Sequence, residues 1–255
     1  MHRAIVRTPG PNLVDGLTSV DLGPPDFALA LEQHELYRAA LESCGVRVEV
    51  LAADPLHPDA TFVEDTAVLT HARAMLTRPG AESRRGEVAA IASAVRAHFT
   101  SIARIEEPGT LDGGDICEAG ERWFLGISER TNQAGATQLA RWLAEQDIAS
   151  TAVDIRGVPG ILHLKSAVCW LGGKRLAATE PLASHSAFAG YEVLRVPGDE
   201  AYAANLVRVN DRVLIARGYP SVERGVRALG LATIALDMSE FRKVDGGLSC
   251  LSLRF

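Results

Sequence analysis

The feature that most constrains this chain is a repeating order of elements: two short β-branched or alternating runs joined by a turn, then a helical pattern, then another extended run. In the clearest copy TAVLT and AMLTR flank HAR, EVAAIASAVRAHF carries apolar residues at helical spacing, and SIARIEE returns as a strand. About fifty residues on, ICEA and RWFLGI flank GE, NQAGATQLARWLAEQ reads as an amphipathic helix, and STAVDIRG is extended again. A third copy opens on SAVCWLGGKRLAAT, where Gly172-Gly173 is a hairpin-turn signal. In a less regular fourth, NLVRV and RVLIA are joined by Asn210-Asp211, with VERGVRALG as helix and ATIAL as strand.

A fifth hairpin is missing as a contiguous segment. It is completed only if the last strand, LSCLSLRF, pairs with the first, RAIVRT, leaving HELYRAALESCG and VRVEVLA to supply its helix and strand. The termini then close a ring, and residues 1–255 form a single domain of radial ββαβ units, a propeller-like α/β fold. An α/β sandwich without symmetry is the alternative that pattern alone leaves open. In a radial fold the site lies on the axis, so its residues should be scattered along the whole sequence.

Composition limits the partners. The 255 residues carry 26 Lys+Arg against 32 Asp+Glu, a formal charge of −6, with 47% apolar residues. That excludes a disordered chain and offers no basic footprint for nucleic acid or an anionic membrane. No apolar run has the length of a bilayer span, and MHRAIVRTPG does not read as a secretory leader, so a cytoplasmic location is expected. The four cysteines, Cys44, Cys117, Cys169 and Cys250, are scattered without zinc-ligand spacing. Free thiols, no structural metal, no cofactor and a small-molecule partner are expected. An exposed blade edge or helix face leaves room for a homodimer.

Four segments carry the chemistry: FVEDTAV (62–68), TLDGGD (110–115), LHLKS (162–166) and VDGGLSC (244–250). Each is singly a turn signal, in which glycine supplies positive φ and aspartate caps its own turn. Together they bring a thiol, an imidazole and several carboxylates to equivalent edges of different units, a minimum set for covalent catalysis on a cation. Cys250 is placed in a strand ending near the axis. His163 alternates with Leu162 and Leu164 on a strand, which also fits a core histidine. Glu64, Asp65, Asp112 and Asp115 would repel one another unless a cation joins them.

FVEDTAV, TRPGAESRR, TLDGGD, SERTNQAG, LHLKS and KVDGGLSC, in this order and spacing, resemble the dimethylarginine dimethylaminohydrolases of the pentein, or guanidino-modifying, superfamily. The likeness covers nearly the whole chain. It implies a five-bladed α/β propeller that hydrolyses asymmetric dimethylarginine and monomethylarginine to citrulline and the alkylamine, without metal or organic cofactor. On this resemblance Cys250 is the nucleophile, His163 the general acid and base, and Asp112 the carboxylate that orients the imidazole. Asp65 would bind the guanidinium with Asp112. Arg84 and Arg130 would clamp the α-carboxylate, while Asp59 and the carbonyls of Leu17 and Val244 would meet the α-amino group. Phe62, Glu64 and Asp245 would line the same pocket, and residues 10–25, carrying Leu17, would be a lid.

Arginine and agmatine deiminases and the amidinotransferases share much of this set and remain the alternative, with a non-catalytic pentein further off. The resemblance separates them two residues after the histidine. Where deiminases carry aspartate, this chain has Lys165. That favours a guanidine whose alkylated nitrogen has no hydrogens to donate.

Overall fold

A computed structural model describes residues 1–255, and in it the strands form five separate three-stranded sheets. Strands β1 (Arg3–Arg7) and β2 (Arg47–Leu51) pair in parallel, and β15 (Leu253–Arg254) closes that sheet from the other end of the chain. Its register is antiparallel to β1, Ala4 opposite Arg254 and Ile5 opposite Leu253, so the termini do complete one unit. The other sheets follow in chain order: β3 (Ala67–Leu69), β4 (Ala74–Leu76) and β5 (Ile102–Arg104); β6 (Ile116–Ala119), β7 (Arg122–Ile127) and β8 (Ala149–Asp154). Then come β9 (Val168–Gly172), β10 (Arg175–Thr179) and β11 (Glu192–Val196), and finally β12 (Val207–Val209), β13 (Arg212–Ala216) and β14 (Ala232–Leu236). In every sheet one neighbour of the middle strand pairs antiparallel and the other parallel, the parallel pair being joined by a crossover connection.

The crossovers are helical in four units: α1 (Phe27–Ser43), α2 (Glu87–Arg96), α3 (Gln133–Ala144) and α4 (Pro220–Ala228). Local chemistry starts them. Asp26 accepts from the amide of Leu29 and Asn132 from that of Gly135, while Pro220 opens α4 where its missing N–H leaves no bond unmade. The unit built on β9 departs from the expected ββαβ order. Between β10 and β11 the chain EPLASHSAFAGY makes only a 3₁₀ turn, Ser186–Phe188, whose Phe188 ring packs edge-on against Phe124 at 4.9 Å.

Several inner and middle strands read as nearly continuous apolar runs because both faces are buried against neighbouring units. Along β1, Ala4 and Val6 enter the layer shared with α1 and β13, while Ile5 between them enters the layer shared with α2. Along β3, Ala67 and Leu69 face one neighbour and Val68 the other. The period-2 side-chain geometry of a strand thus stitches each unit to two others, which an open sandwich would not require.

A short 3₁₀ turn precedes each inner strand: Val63–Thr66 before β3, Gly113–Asp115 before β6, Leu164–Ser166 before β9, Gly198–Ala204 before β12 and Ser249–Leu251 before β15. These turns meet around the axis and carry the chemical motifs. Two expectations are corrected here. Cys250 lies in a turn, and the terminal strand is only Leu253–Arg254; His163 is the extended residue (φ −131°, ψ 157°) that caps a turn, with no strand around it.

The glycines have a different reason from the one read in the sequence. Neither Gly113 nor Gly114 has positive φ. A Cβ on Gly113 would sit 2.0 Å from the carbonyl oxygen of Glu64, and one on Gly114 3.0 Å from the His163 ring. Only hydrogen lets adjacent turns approach this closely. In VDGGLSC the residue at positive φ is Asp245 itself (φ 56°).

Candidate functional site

His163 is 7% exposed, and its Nε2 lies 3.0 Å from Oδ2 of Asp112. The other oxygen of Asp112 accepts from the amide of Gly80 at 2.9 Å, so the carboxylate is held at both oxygens, and the backbone amide of Asp112 donates to Thr131. Asp115 was grouped with the other carboxylates in the sequence without a role of its own. Its Oδ1 accepts from the amide of Leu164 at 2.9 Å and its Oδ2 from Ser128 at 2.6 Å, which ties down the turn that bears the imidazole. Burial pushes the Asp115 carboxyl up to about 6. For His163, burial opposes the charged ring, but Asp65, the bond to Asp112 and the field of Asp115 outweigh it and raise the imidazole to about 9. At neutral pH the ring is an imidazolium.

Cys250 is half-buried, whereas Cys44, Cys117 and Cys169 are buried. Burial first, then the carboxylates Glu64 and Asp65, push its thiol up to about 12. The thiol is therefore neutral and the imidazole charged in the resting protein. Asp65 contributes to both deviations, while burial is the larger cause for the thiol and opposes the shift of the imidazole.

Asp65 accepts from the amide of Gly114 through Oδ1 (2.9 Å) and from Arg84 Nη1 through Oδ2 (2.5 Å). Arg84 is 5% exposed and also meets Glu87 through Nε and Nη2 and the carbonyls of Asp59 and Phe62 through Nη2. The fork that a bidentate carboxylate clamp needs is thus turned inward, and one Nη1 hydrogen remains for a ligand. Arg130 is half-buried, and its guanidinium has no hydrogen bond to the protein. The resemblance implies Arg84 and Arg130 together as the carboxylate clamp; the structure gives them unequal freedom.

Glu64 is 3% exposed and holds three partners: Lys165 Nζ at 2.9 Å, Arg254 Nη2 at 3.0 Å and Ser249 Oγ at 2.7 Å. Asn205 closes the ring of turns by accepting from the amide of Ser249 (2.9 Å) and donating to the carbonyl of Lys165 (3.2 Å). Sequence reasoning missed Asn205, Ser249 and Arg254. Alignment of the copies would have found Asn205, since it stands just before an inner strand as the other site residues do.

The segment expected to be a lid is pinned by two site carboxylates. The amide of Leu17 donates to both oxygens of Asp59 (3.1 and 3.3 Å), and that of Ser19 donates to Oδ2 of Asp245 at 2.6 Å. Asp59 is buried, and burial raises its carboxyl. Phe62 and Val244 are buried nearby, Phe62 against the Phe241 ring and Val244 beneath Gly16. Oxygen and nitrogen atoms of Asp65, Asp112 and His163 fall within 4.8 Å of one another, a spacing a metal could use. An ion there would displace the Arg84 and His163 contacts just described.

The family model for arginine deiminase matches residues 30–167. Over 98% of both chains the protein is 43% identical to the N(G),N(G)-dimethylarginine dimethylaminohydrolase of Pseudomonas aeruginosa. It is 39% identical to the protein of that name from Streptomyces coelicolor, covering 99% of this chain and 96% of the relative. The solved structure of the Pseudomonas enzyme with a cysteine changed to serine, in complex with citrulline, superposes with a TM-score of 0.96 at 42% identity, covering 100% of this chain and 99% of that one. No helix is long and apolar enough to cross a membrane. The five-unit fold, the ring of turns and these likenesses agree: the chain belongs to the dimethylarginine dimethylaminohydrolase family.

Proposed function

We propose that the protein hydrolyses Nω-methylated L-arginines to L-citrulline and the methylamine, with Cys250 as nucleophile, His163 as acid and base, and Asp112 as the group that orients the ring. The observation that carries this reading is the resting charge state. A thiol at about 12 and an imidazole at about 9 share a face lined by Asp65, Asp112 and Glu64. Burial and the fields of Glu64 and Asp65 hold the thiol neutral even though Arg84, Lys165 and Arg254 pair with those carboxylates, and a guanidinium brought to the sulfur would offset them.

A guanidinium beside the sulfur lowers the thiol pKa, so the proton leaves to solvent as substrate binds and the thiolate forms only when it is needed. The sulfur adds to the guanidino carbon. His163, already protonated, gives its proton to the departing amine nitrogen as the carbon–nitrogen bond breaks, leaving an S-alkylthiouronium and a neutral imidazole. That imidazole takes one proton from the water that attacks the same carbon, and collapse of the adduct expels the sulfur, which takes up the remaining hydroxyl proton to restore the resting thiol, and yields citrulline. Proton transfer of this kind contributes typically 10²–10⁴-fold.

At the other end of the substrate, Arg130 makes the principal carboxylate contact, and Arg84 adds its one free donor while holding Asp65. Asp59, the Leu17 and Val244 carbonyls and the lid surround the α-amino group. Lys165 satisfies Glu64, so no extra carboxylate at that position competes for a terminal nitrogen.

The test is parallel incubation with asymmetric dimethylarginine, monomethylarginine, arginine and agmatine, assaying ureido product and released amine. Citrulline with dimethylamine or methylamine, and none from Cys250→Ser, is expected. Ammonia from arginine or agmatine would make the protein a deiminase instead.

A further inference from the structure

Beyond the ring of turns the inner strands run on, away from the thiol, and enclose a second space on the same axis. This cavity of about 320 Å³ takes a wall residue from every inner strand: Val68, Glu118, Trp170, Arg208 and Arg254. Cys250, His163, Asp65 and Asp112 do not line it; its floor is Glu64, Lys165 and Ser249, the underside of the catalytic ring. The volume falls at the lower end of the range of small-molecule sites, roughly 300–1,000 Å³.

Its charges do not cancel. Lys165, Arg208 and Arg254 face Glu64 and Glu118, and Glu64 is already held by two of those cations and a hydroxyl. An ammonium has three donors, and Lys165 gives one hydrogen bond, to Glu64, so two remain at the floor. Glu118 makes no side-chain hydrogen bond, and burial raises its carboxyl, which reduces the negative charge it contributes. Toward the hairpin ends the guanidinium of Arg208 lies 5.3 Å from the centroid of Trp170. Between floor and mouth the wall is apolar, with Ile116, Val168 and Leu253 among its residues.

We propose that this axial cavity is a second small-molecule site, which takes a compact apolar monocarboxylate with its carboxylate on Lys165 and its body against the aliphatic and tryptophan wall. Lys165 also neutralises Glu64, and Glu64 is the carboxylate that most opposes ionisation of Cys250. A ligand carboxylate that shares this ammonium leaves Glu64 more negative beside the sulfur, so occupancy suppresses thiolate formation from the far side of the ring. This second step rests on Cys250 being the nucleophile; the binding step does not.

Benzoate is the probe, titrated against the intact protein and read by the fluorescence of Trp170 and Trp123, with no turnover involved. Saturable binding with a Kd of about 1 mM is expected for a ligand of this size. Glu118→Gln should tighten it roughly tenfold by removing a like charge, Lys165→Met should abolish it, and Arg130→Ala should leave it unchanged. Circular dichroism establishes that each variant is folded, and Glu118→Gln tests the site even if Lys165→Met fails to fold. No saturation, or loss of binding in Arg130→Ala, would overturn the site, the latter by placing benzoate in the substrate pocket. For the coupling, saturating benzoate should slow iodoacetamide alkylation of Cys250 at pH 9 several-fold in the absence of substrate; an unchanged rate in protein that binds benzoate would refute it.

Discussion

His163 and Asp112 are 51 residues apart in sequence and belong to different units, yet Nε2 of one lies 3.0 Å from Oδ2 of the other, and both side chains are buried. That contact, with Asp65 and Asp115 behind it, keeps the imidazole protonated up to about pH 9. Replacing Asp112 with Asn should bring the imidazole pKa down toward its ordinary value and reduce kcat about 100-fold or more, because the acid then starts unprotonated and loosely oriented. NMR titration of the ring and the pH–rate profile of the variant would check this. An unchanged imidazole pKa would contradict the assignment.

The same pair links stability to pH. A histidine whose folded pKa is raised stabilises the protein fully below its unfolded value near 6.5, and this contribution disappears as pH rises through about 9. Thermal stability should therefore fall between about pH 6.5 and 9, and His163→Gln should flatten that part of the curve. Melting temperatures across the interval, compared between the two proteins, give the answer.

Cys250 should show no thiolate absorbance at 240 nm in the free protein at pH 8, with the transition moved far toward its value of about 12. Adding a guanidinium ligand should bring thiolate in at lower pH. Difference spectra against Cys250→Ser isolate the signal, and a midpoint near neutrality without ligand would sink the idea that substrate activates its own attacker.

Arg254→Leu should destabilise the fold by about 3–5 kcal/mol, since it strips one cation from buried Glu64 while the carboxylate remains. The double change Arg254→Leu with Glu64→Leu should recover part of that loss. Urea unfolding monitored by tryptophan fluorescence measures both; a loss under about 1 kcal/mol would mean that Lys165 and Ser249 suffice.

Asp245→Ala should release Ser19 and loosen the lid. KM is expected to rise several-fold with a smaller change in kcat, and proteolytic cleavage within residues 16–25 should accelerate. Equal cleavage rates in variant and parent would argue against the latch.

The repeat was legible because strand and helix periods are local. The pairing of LSLRF with RAIVRT followed by elimination, and the thiol, imidazole and carboxylate proposed for catalysis were singled out because six motifs held a common order along the chain. What misled was local too. His163 alternates with leucines and reads as a strand residue, but it caps a 3₁₀ turn because the backbone there bonds to Asp115 from another unit. The paired glycines read as positive-φ turns, whereas their role is set by the Glu64 carbonyl and the His163 ring packed against them.

The sequence by itself determined the repeating unit, the closure of the ring by its two ends and the kinds of group brought to the axis. Only the tertiary structure decided how those groups divide the charge among them. Arg84 is turned inward by Asp65 and Glu87, Lys165 is paired with Glu64 through one of its donors, Arg130 is left unpaired by the protein, and the thiol and imidazole pKa values are both driven up. The physical reason is that these energies depend on burial and on distances of about 3 Å between residues far apart in the chain, quantities that periodicity and spacing do not encode.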